Sequence, residues 1–447
     1  MLTKEQVLAL APDDASAKAG AVLASDGKWV SLGADAEAAW GECKGSGAKP
    51  YQTQVDLSAM AARCSCPSRK FPCKHGLGLL LLYVQRVPRF ANAERPAWVN
   101  EWIGSRKQRA AKKEAPTSEK APQDPAAAAA AAAKSEAARW KRIEAGAIEL
   151  QRWIVDQFRN GLGRFSAEQR GEWSAMAARM VDAQAPGLAQ QLSDALEIVS
   201  AGATRYEEAA GRLGLMQLLI DGVIRRESLS PQRRADLRTA LGWPHDKEEV
   251  AAAGESVNDE WLVIGQITVT RDERLAERRV WLRGKDSGRD ALLLDFAFKG
   301  KAWDDHWLDG ASYRALLTFY PGTLPLRALA RNATKMPDRP WPADAASEAV
   351  ERASIRLAGN PWLRQVPMLL RDATPMVADD GLTLQTTAGA FALRLKDAGA
   401  WSLLAFSGGH PVHVMGEWDG AGVLPLTAQA PDGARGRWIL DREHAPA

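Results

Sequence analysis

The stretch CSCPSRKFPCKH, from Cys64 to His75, holds three of the chain's four cysteines and one of its six histidines. Residues i and i+2 of an extended strand project from the same face, so both thiolates of Cys64 and Cys66 can reach one metal ion. Cys73 and His75 directly precede the apolar run GLGLLLLYVQRV. Because residues two apart on a helix point in different directions, we expect Cys73 at the helix N-terminus and His75 in the first turn.

Three cysteines and one histidine form a donor set that favours tetrahedral zinc. Protein ligands would fill all four positions and leave none for a catalytic water, which predicts a structural site. Iron or another soft metal is one alternative, and an accidental group of buried thiols is another. Cys43, further upstream, is a fifth candidate in a site that needs four ligands, so we interpret it as an ordinary strand cysteine.

Length and composition set wider limits. The 447 residues, 46% of them hydrophobic, suffice for two to four domains of about 100 to 200 residues. The net charge of +3 does not by itself indicate a nucleic-acid partner. The longest apolar run is far shorter than the ~20 residues of a spanning helix, and the amino-terminal sequence lacks a signal-peptide layout. We expect a cytoplasmic protein with reduced thiols and no membrane contact.

Residues 104–139 are rich in Ala, Lys and Pro and show no apolar face. Basic residues outnumber acidic ones in this stretch by eight to four. Such a composition predicts a disordered linker, although the alanine run 126–133 has high helix propensity. The linker would separate an N-terminal domain at 1–103 from the rest of the chain.

Residues 140–250 are predicted to form a helical bundle. An apolar stripe at helical spacing consists of Ile143, Ala147, Leu150, Ile154 and Phe158. Gly161 ends this helix. Ser166 with Gln169 is a capping-box signal for a second helix, and Ser230 with Pro231 is an N-terminus signal for a later one. Two further helices fit 187–202 and 206–224.

Residues 251–447 are predicted to form a β-rich α+β domain. Apolar residues alternate with polar ones over three short strands in 261–298 and over several more in 381–420. A helix fits 342–359. The chain as a whole is therefore predicted to be an α+β multidomain protein with an N-terminal zinc unit, a helical middle and a β-rich C-terminal unit.

Signals for catalysis are weak, and we predict that the chain is not an enzyme. Phosphate-binding loops, nucleophile elbows and zinc-protease helices have no match in the sequence. His410 and His413 are interpreted as packing or surface residues of a strand, and Asp304, Asp305 and His306 as a turn. The seventeen tryptophans favour core packing over stacking platforms for single-stranded nucleic acid. An enzymatic β-rich unit stays as a third alternative.

The C-x-C, loop and C-x-H pattern that leads into an apolar helix resembles the SWIM-type zinc finger. The flanking WGECKGSGAKPYQTQVDL is similar to bacterial proteins of that family. The resemblance covers about the first hundred residues and implies a ββα unit, with PYQTQVDL and AARCSC as strands. It implies that Zn²⁺ is held by four ligands: Cys64, Cys66, Cys73 and His75. SWIM fingers are thought to bind DNA or proteins, and the bacterial relatives are often encoded beside MoxR-type ATPases and von Willebrand A-type proteins.

Two functions follow from these features. The first is a zinc-binding interaction protein that docks a protein partner, with a MoxR-type ATPase and von Willebrand A-type system as the candidate. The alternative is a DNA- or RNA-binding protein that uses the same basic face of the finger. We favour the protein partner, because the apolar run after the ligands looks buried and leaves no recognition helix. The contact residues predicted for either partner are Arg63, Arg69, Lys70 and Lys74.

Overall fold

The structure is a computed structural model, and some short segments of the chain fall outside the residues it describes. The described residues are 2–11, 14–44, 49–57, 60–68, 72–85, 90, 94–114, 125–162, 167–200, 205–272, 275–298, 303, 305–337, 340–378, 381–433 and 436–441. None of the helices within these ranges is both long and apolar enough to span a bilayer.

Within these ranges, the chain forms twelve α-helices and fifteen strands. The helices are α1 Lys4–Ala9, α2 Asp14–Leu23, α3 Lys74–Val84, α4 Ala97–Glu114, α5 Pro125–Asn160, α6 Ala167–Asp182, α7 Pro186–Ser200, α8 Tyr206–Ile224, α9 Pro231–Ala240, α10 Lys247–Ala253, α11 Ala346–Gly359 and α12 Asp397–Ser407. The strands are β1 Trp29–Ala34, β2 Ala38–Cys43, β3 Tyr51–Asp56, β4 Ala61–Cys64, β5 Ser256–Asp272, β6 Leu275–Gly284, β7 Asp290–Phe298, β8 Ser312–Phe319, β9 Ala328–Met336, β10 Val366–Ala378, β11 Gly381–Thr386, β12 Gly389–Ala392, β13 Val412–Trp418, β14 Val423–Gln429 and β15 Arg437–Ile439.

The N-terminal unit is a four-stranded antiparallel sheet, in the order β1-β2-β3-β4. Helix α3 packs against this sheet, and α1 and α2 pack against α3. Strands β3 and β4 pair from Thr53 opposite Cys64 to Asp56 opposite Ala61. Helix α3 follows, so the predicted ββα order is confirmed. The α2–α3 contact depends on glycine, because a Cβ at Gly78 would lie only 2.8 Å from the Cβ of Leu23.

Helix α4 packs against the N-terminal sheet and extends into the segment that was predicted to be a linker. Val99, Trp102 and Ile103 of this helix share a small core with Trp40 of β2, and Arg106 forms an ion pair with Asp56. The helix continues to residue 114, and α5 begins at residue 125. The disordered linker expected at 104–139 is thus helical at both ends, because apolar contacts anchor α4 and the alanine run extends α5. Residues 115–124 lie outside the described chain.

Helices α5 to α8 form the predicted bundle around a core of their own. Four members of the apolar stripe are buried as expected, but Phe158 is 47% exposed. Gln157 takes the inward position, where its Oε1 accepts a 3.2 Å hydrogen bond from Nε1 of Trp173. The stripe therefore ends one turn earlier than predicted. Gly161 ends α5 with φ +84°, a conformation that glycine adopts without strain.

Two helix starts were predicted in this region. The hydroxyl of Ser230 accepts a hydrogen bond from the N–H of Arg233, and Pro231 is the first residue of α9, as expected. Ser166 lies outside the described residues. Helices α7 and α8 occupy the two remaining predicted stretches.

The C-terminal unit contains two antiparallel sheets. The first has five strands in the order β7-β6-β5-β8-β9, and the second has six in the order β12-β11-β10-β13-β14-β15. Strands β5, β6 and β7 occupy the three predicted segments, and α11 occupies the predicted helix. Helix α12 lies inside a region that was predicted as strands only. It ends at Gly408, which adopts a left-handed conformation.

The five-stranded sheet is the central layer of the molecule. Side chains on one of its faces, including Leu262, Ile264 and Trp281, pack against the six-stranded sheet. Side chains on the other face share a continuous core with the N-terminal unit: Trp261, Val263, Val280 and Leu282 with Trp29, Val55, Leu77 and Leu80. A buried hydrogen bond of 2.8 Å from Nε2 of Gln6 to the carbonyl of Asp309 joins the same two layers. The first hundred residues are therefore packed onto the last two hundred.

Candidate metal centre

The four predicted ligands converge at the junction of β4 and α3. Cys64 is the last residue of β4, and Cys66 lies in the bend that follows. Cys73 is the N-cap of α3 with φ −72° and ψ 167°, and His75 is the second residue of that helix. One donor atom from each residue lies within 4.8 Å of the others. The positions predicted for Cys73 and His75 are confirmed, whereas the bend rather than a shared strand face brings Cys66 beside Cys64.

The spacing of the donor atoms fits a tetrahedral metal ion. Sγ of Cys64 lies 3.7 Å from Nδ1 of His75, and Sγ of Cys73 lies 3.9 Å from the same atom. Zn–S and Zn–N bonds of ordinary length at a tetrahedral angle place sulfur and nitrogen about 3.6 Å apart. Because Nδ1 faces the sulfurs, a neutral His75 that ligates through it carries its proton on Nε2. These residues would hold Zn²⁺ as a structural ion.

The pKa values of the three ligand thiols shift in different directions: that of Cys64 is lowered, and those of Cys66 and Cys73 are raised. The thiol of Cys73 and the ring of His75 lower the pKa of Cys64 to about 4, with a further contribution from the Thr53 hydroxyl at 3.2 Å. Burial raises the pKa of Cys66. The contact with the Cys64 thiolate, together with burial, raises the pKa of Cys73. A metal must therefore displace protons from Cys66 and Cys73 when it binds.

Cys43 takes no part in this group. It is the last residue of β2, it is fully buried, and its Sγ donates to the carbonyl of Lys44 at 3.7 Å. Burial raises its pKa to about 11, which keeps the thiol protonated. The interpretation of Cys43 as a strand cysteine is confirmed.

Several cations lie close to the four ligands in the sequence. Four of them are exposed and form no ion pair with a carboxylate among the residues that the structure describes; we call them the basic finger surface: Lys44, Lys49, Arg63 and Lys74. Two predicted contact residues, Arg69 and Lys70, lie outside the described chain. Of the neighbouring acids, Glu42 accepts a hydrogen bond from Ser31 and Asp56 is paired with Arg106. The four cations are therefore available to a ligand.

The other histidines of interest lie far from any comparable group. His306 is buried beside Arg278 and Arg106, Asp305 is exposed, and Asp304 falls outside the described residues. Nδ1 of His413 lies 3.8 Å from a carboxylate oxygen of Asp372, and His410 is exposed. Within the ranges given above, no second group of three His, Cys, Asp or Glu side chains converges on one point.

The buried tryptophans confirm the packing interpretation for several positions. Trp29, Trp40, Trp102 and Trp173 are each less than 10% exposed and belong to apolar cores. None of these rings is open to a stacked base. The sequence missed the helical cover that buries Trp40 and Trp102, because α4 lies in the segment that was assigned largely to a linker.

Comparison with known families identifies two regions. The SWIM zinc finger family matches residues 51–83, and the SWIM-associated four-helix bundle domain matches residues 138–241. The first match contains β3, β4 and most of α3 with all four ligands. The second contains the last two thirds of α5 and all of α6 to α9. No curated protein and no solved structure matches the chain significantly.

Proposed function

We propose that this chain, a SWIM-type zinc finger protein, is a zinc-binding interaction protein whose finger docks a protein partner through the basic finger surface. The observation that carries the proposal is the burial of α3: every residue from His75 to Leu82 is buried. A helix enclosed in the core has no face left to enter a nucleic-acid groove. The zinc ion would fix the position of the surface cations, since all four of its ligands come from the protein.

The partner is expected to present an acidic surface. Complementary charge raises the rate of encounter and selects among partners more than it adds raw affinity. The family resemblance makes a MoxR-type ATPase and von Willebrand A-type system the first candidate to test. All four cysteines are free thiols, which suits the reducing cytoplasm in which we place the complex. The SWIM finger and helical bundle suggest a binding role without catalysis.

A matched pair of double variants tests the docking surface. Lys44→Gln with Lys74→Gln removes two charges from the basic finger surface, and Lys141→Gln with Lys247→Gln removes two charges from exposed helical sites elsewhere. We expect the first pair to weaken affinity for a purified MoxR-type ATPase about tenfold or more, and the second pair to change that affinity less than about twofold. Elemental analysis first establishes that both variants keep zinc. Equal loss in both pairs, or no loss in either, contradicts the proposal.

Nucleic acid is the second candidate, because the same unpaired cations could contact phosphates. Fluorescence anisotropy with mixed-sequence DNA and RNA would show log K falling against log salt with a slope of about −0.9 per phosphate contacted. Lys70→Glu with Lys74→Glu should flatten that slope. We expect binding no tighter than about 10⁻⁶ M at physiological salt, the range of non-specific contacts. Sequence-selective nanomolar binding would instead make the protein a nucleic-acid reader.

A further inference from the structure

A cleft of about 440 Å³ lies where the helical bundle meets the C-terminal unit. Helices α5, α9 and α10 and the loop after β8 form its walls. The apolar part of the lining consists of Pro231, Ala235, Val250, Ala253 and Pro321, and the charged part includes Arg226, Arg234 and Arg238. The charged part also includes Glu136, Glu227 and Glu249. The volume is typical of small-ligand sites.

Trp140 lines the cleft and forms an aromatic pair with Trp243, whose ring lies beneath two guanidinium groups. The rings of Trp140 and Trp243 lie 5.1 Å apart. Arg238 lies 4.5 Å from the Trp243 ring, and Arg139 lies 4.2 Å from the same ring. Trp243 therefore holds two cations near each other, an arrangement that cation–π attraction favours but mutual repulsion opposes.

Four glutamates, Glu136, Glu144, Glu227 and Glu249, match the four arginines in number, but they are paired with them unevenly. Arg226 is paired with Glu144 at 2.8 Å and with Glu227 at 3.3 Å. Arg238 has one partner, the carboxylate of Glu136 at 3.8 Å, and that carboxylate also accepts a hydrogen bond from Trp140. Nε of Arg238 is buried and has no hydrogen-bond partner in the part of the chain that the structure describes.

The remaining cations have even less compensation. Arg139 donates to the carbonyl of Gln184, but its Nε is buried without a partner among the described residues. Arg234 forms no ion pair within that same set of residues. Buried donors that lack an acceptor are costly unless a ligand or water supplies one. The last carboxylate in the lining, Glu249, is exposed.

We propose that this cleft binds a small organic anion, a carboxylate or phosphate carried on an apolar body. Arg234 and Arg238 receive the anionic group, and the wall formed by Val250, Ala253 and Pro321 receives the apolar body. The negative charge of the ligand reduces the repulsion between Arg238 and Arg139. The cleft lies in the helical and C-terminal units, so this inference is independent of the function proposed for the finger.

Calorimetric titration of the full zinc-loaded chain tests the proposal with phenyl phosphate and benzoate as probes. Inorganic phosphate lacks the apolar body, and benzyl alcohol lacks the charge. We expect one saturable site per chain for at least one aromatic anion, tighter than for either control compound. Whichever aromatic anion binds more tightly identifies the group as phosphate or carboxylate. Absence of saturable binding by both anions up to about 10 mM, or equal binding of benzyl alcohol, would overturn the proposal.

Variants locate the site. Arg234→Gln is expected to weaken binding about tenfold or more, because a charge-assisted hydrogen bond is lost. Arg233→Gln, on the same helix but outside the cleft lining, removes the same charge and should leave affinity within about twofold. Ala253→Trp should reduce binding by filling the cleft without changing charge. If Arg233→Gln weakens anion binding as much as Arg234→Gln does, the anion is bound elsewhere and the proposal is wrong. The same conclusion follows if Lys44→Gln with Lys74→Gln abolishes anion binding.

Discussion

The finger and the charge network between the two C-terminal sheets both hold charged groups in the interior, but they assemble them differently. The four ligands of the finger all lie within one short segment, from Cys64 to His75. The network joins Arg279 of β6 to Glu417 of β13, residues that are 138 positions apart. A local cluster can be recognised in a sequence, whereas a pair separated by more than a hundred residues exists only once the sheets have packed.

The network is fully connected. Nε and Nη2 of Arg279 donate to the Glu417 carboxylate at 2.7 and 2.8 Å, and Nη1 donates to Glu277 at 2.7 Å. Nε1 of Trp281 donates to Glu417 at 2.8 Å. Three of these side chains come from β6 and the fourth from the opposing sheet. The metal centre fixes a loop to a helix, and the network fixes one sheet against the other.

The largest effect is expected at the zinc ligands. Cys73→Ser or His75→Ala should reduce zinc from about one equivalent per chain to below about 0.2, because structural zinc contributes on the order of 10 kcal/mol to a finger. Elemental analysis measures the metal, and hydrogen exchange should show β3 and β4 opening locally. Cys43→Ala is the control, since it also removes a cysteine but should keep the metal. Full zinc occupancy in Cys73→Ser would refute the ligand assignment.

The next effect is expected in the charge network. Arg279→Met removes the guanidinium with which the buried carboxylates of Glu277 and Glu417 are paired, which should lower the free energy of unfolding by about 3–5 kcal/mol. Arg279→Met with Glu417→Leu should recover part of that loss. Arg179→Met breaks the exposed pair with Glu149 and should cost less than about 1 kcal/mol. Urea denaturation measures all three.

This comparison is contradicted if Arg279→Met lowers the free energy of unfolding no more than Arg179→Met does. Zinc content provides a second readout, because the network does not contact the finger ligands. Variants of the network should therefore keep about one zinc per chain, and ligand variants should keep the network between the sheets.

A smaller effect is expected from His306, which is buried near Arg278 of β6 and Arg106 of α4. It is 8% exposed, and burial lowers its pKa to about 3, with contributions from Arg278 and Arg106. Below its unfolded pKa of about 6.5, the unfolded chain binds a proton that the folded chain excludes, so stability falls as the pH falls. Between pH 6.5 and 5.5 the wild type should lose at most about 1.4 kcal/mol more than His306→Gln. Identical pH profiles of unfolding above pH 5.5 would exclude this role.

Sequence predicted the elements whose signals are local. The ligand spacing located the metal centre, and the capping serine at Ser230 located the start of α9. Gly161 located the end of α5. In each case the deciding residues lie within a few positions of the feature they control, so neither packing nor topology was needed.

The errors occurred where distant contacts decide. Phe158 has helical spacing with its neighbours but points to solvent, because Gln157 bonds Trp173 from another helix. Helix α4 is stabilised by its contact with Trp40, which composition does not reveal. The charge network and the cleft lined by Arg234 and Arg238 each combine segments far apart in the chain. The sequence also suggested that residues 1–103 form a separate unit, although their core is shared with the five-stranded sheet.

The smallest effect is expected from proteolytic cleavage between α4 and α5, because the shared core should hold the two pieces together. Trypsin is expected to cut between Arg106 and Arg139, or a specific protease site can be placed there. Cleavage of a linker should release the zinc-bearing fragment if the fragment has a core of its own. Because Trp29 and Leu77 pack in one cluster with Trp261, and Gln6 is bonded to Asp309, we expect the two pieces to separate under denaturing conditions but to elute together in native size exclusion. If the zinc-bearing fragment elutes alone, the N-terminal unit folds independently of the C-terminal unit. The shared core would then contribute little to holding the two units together.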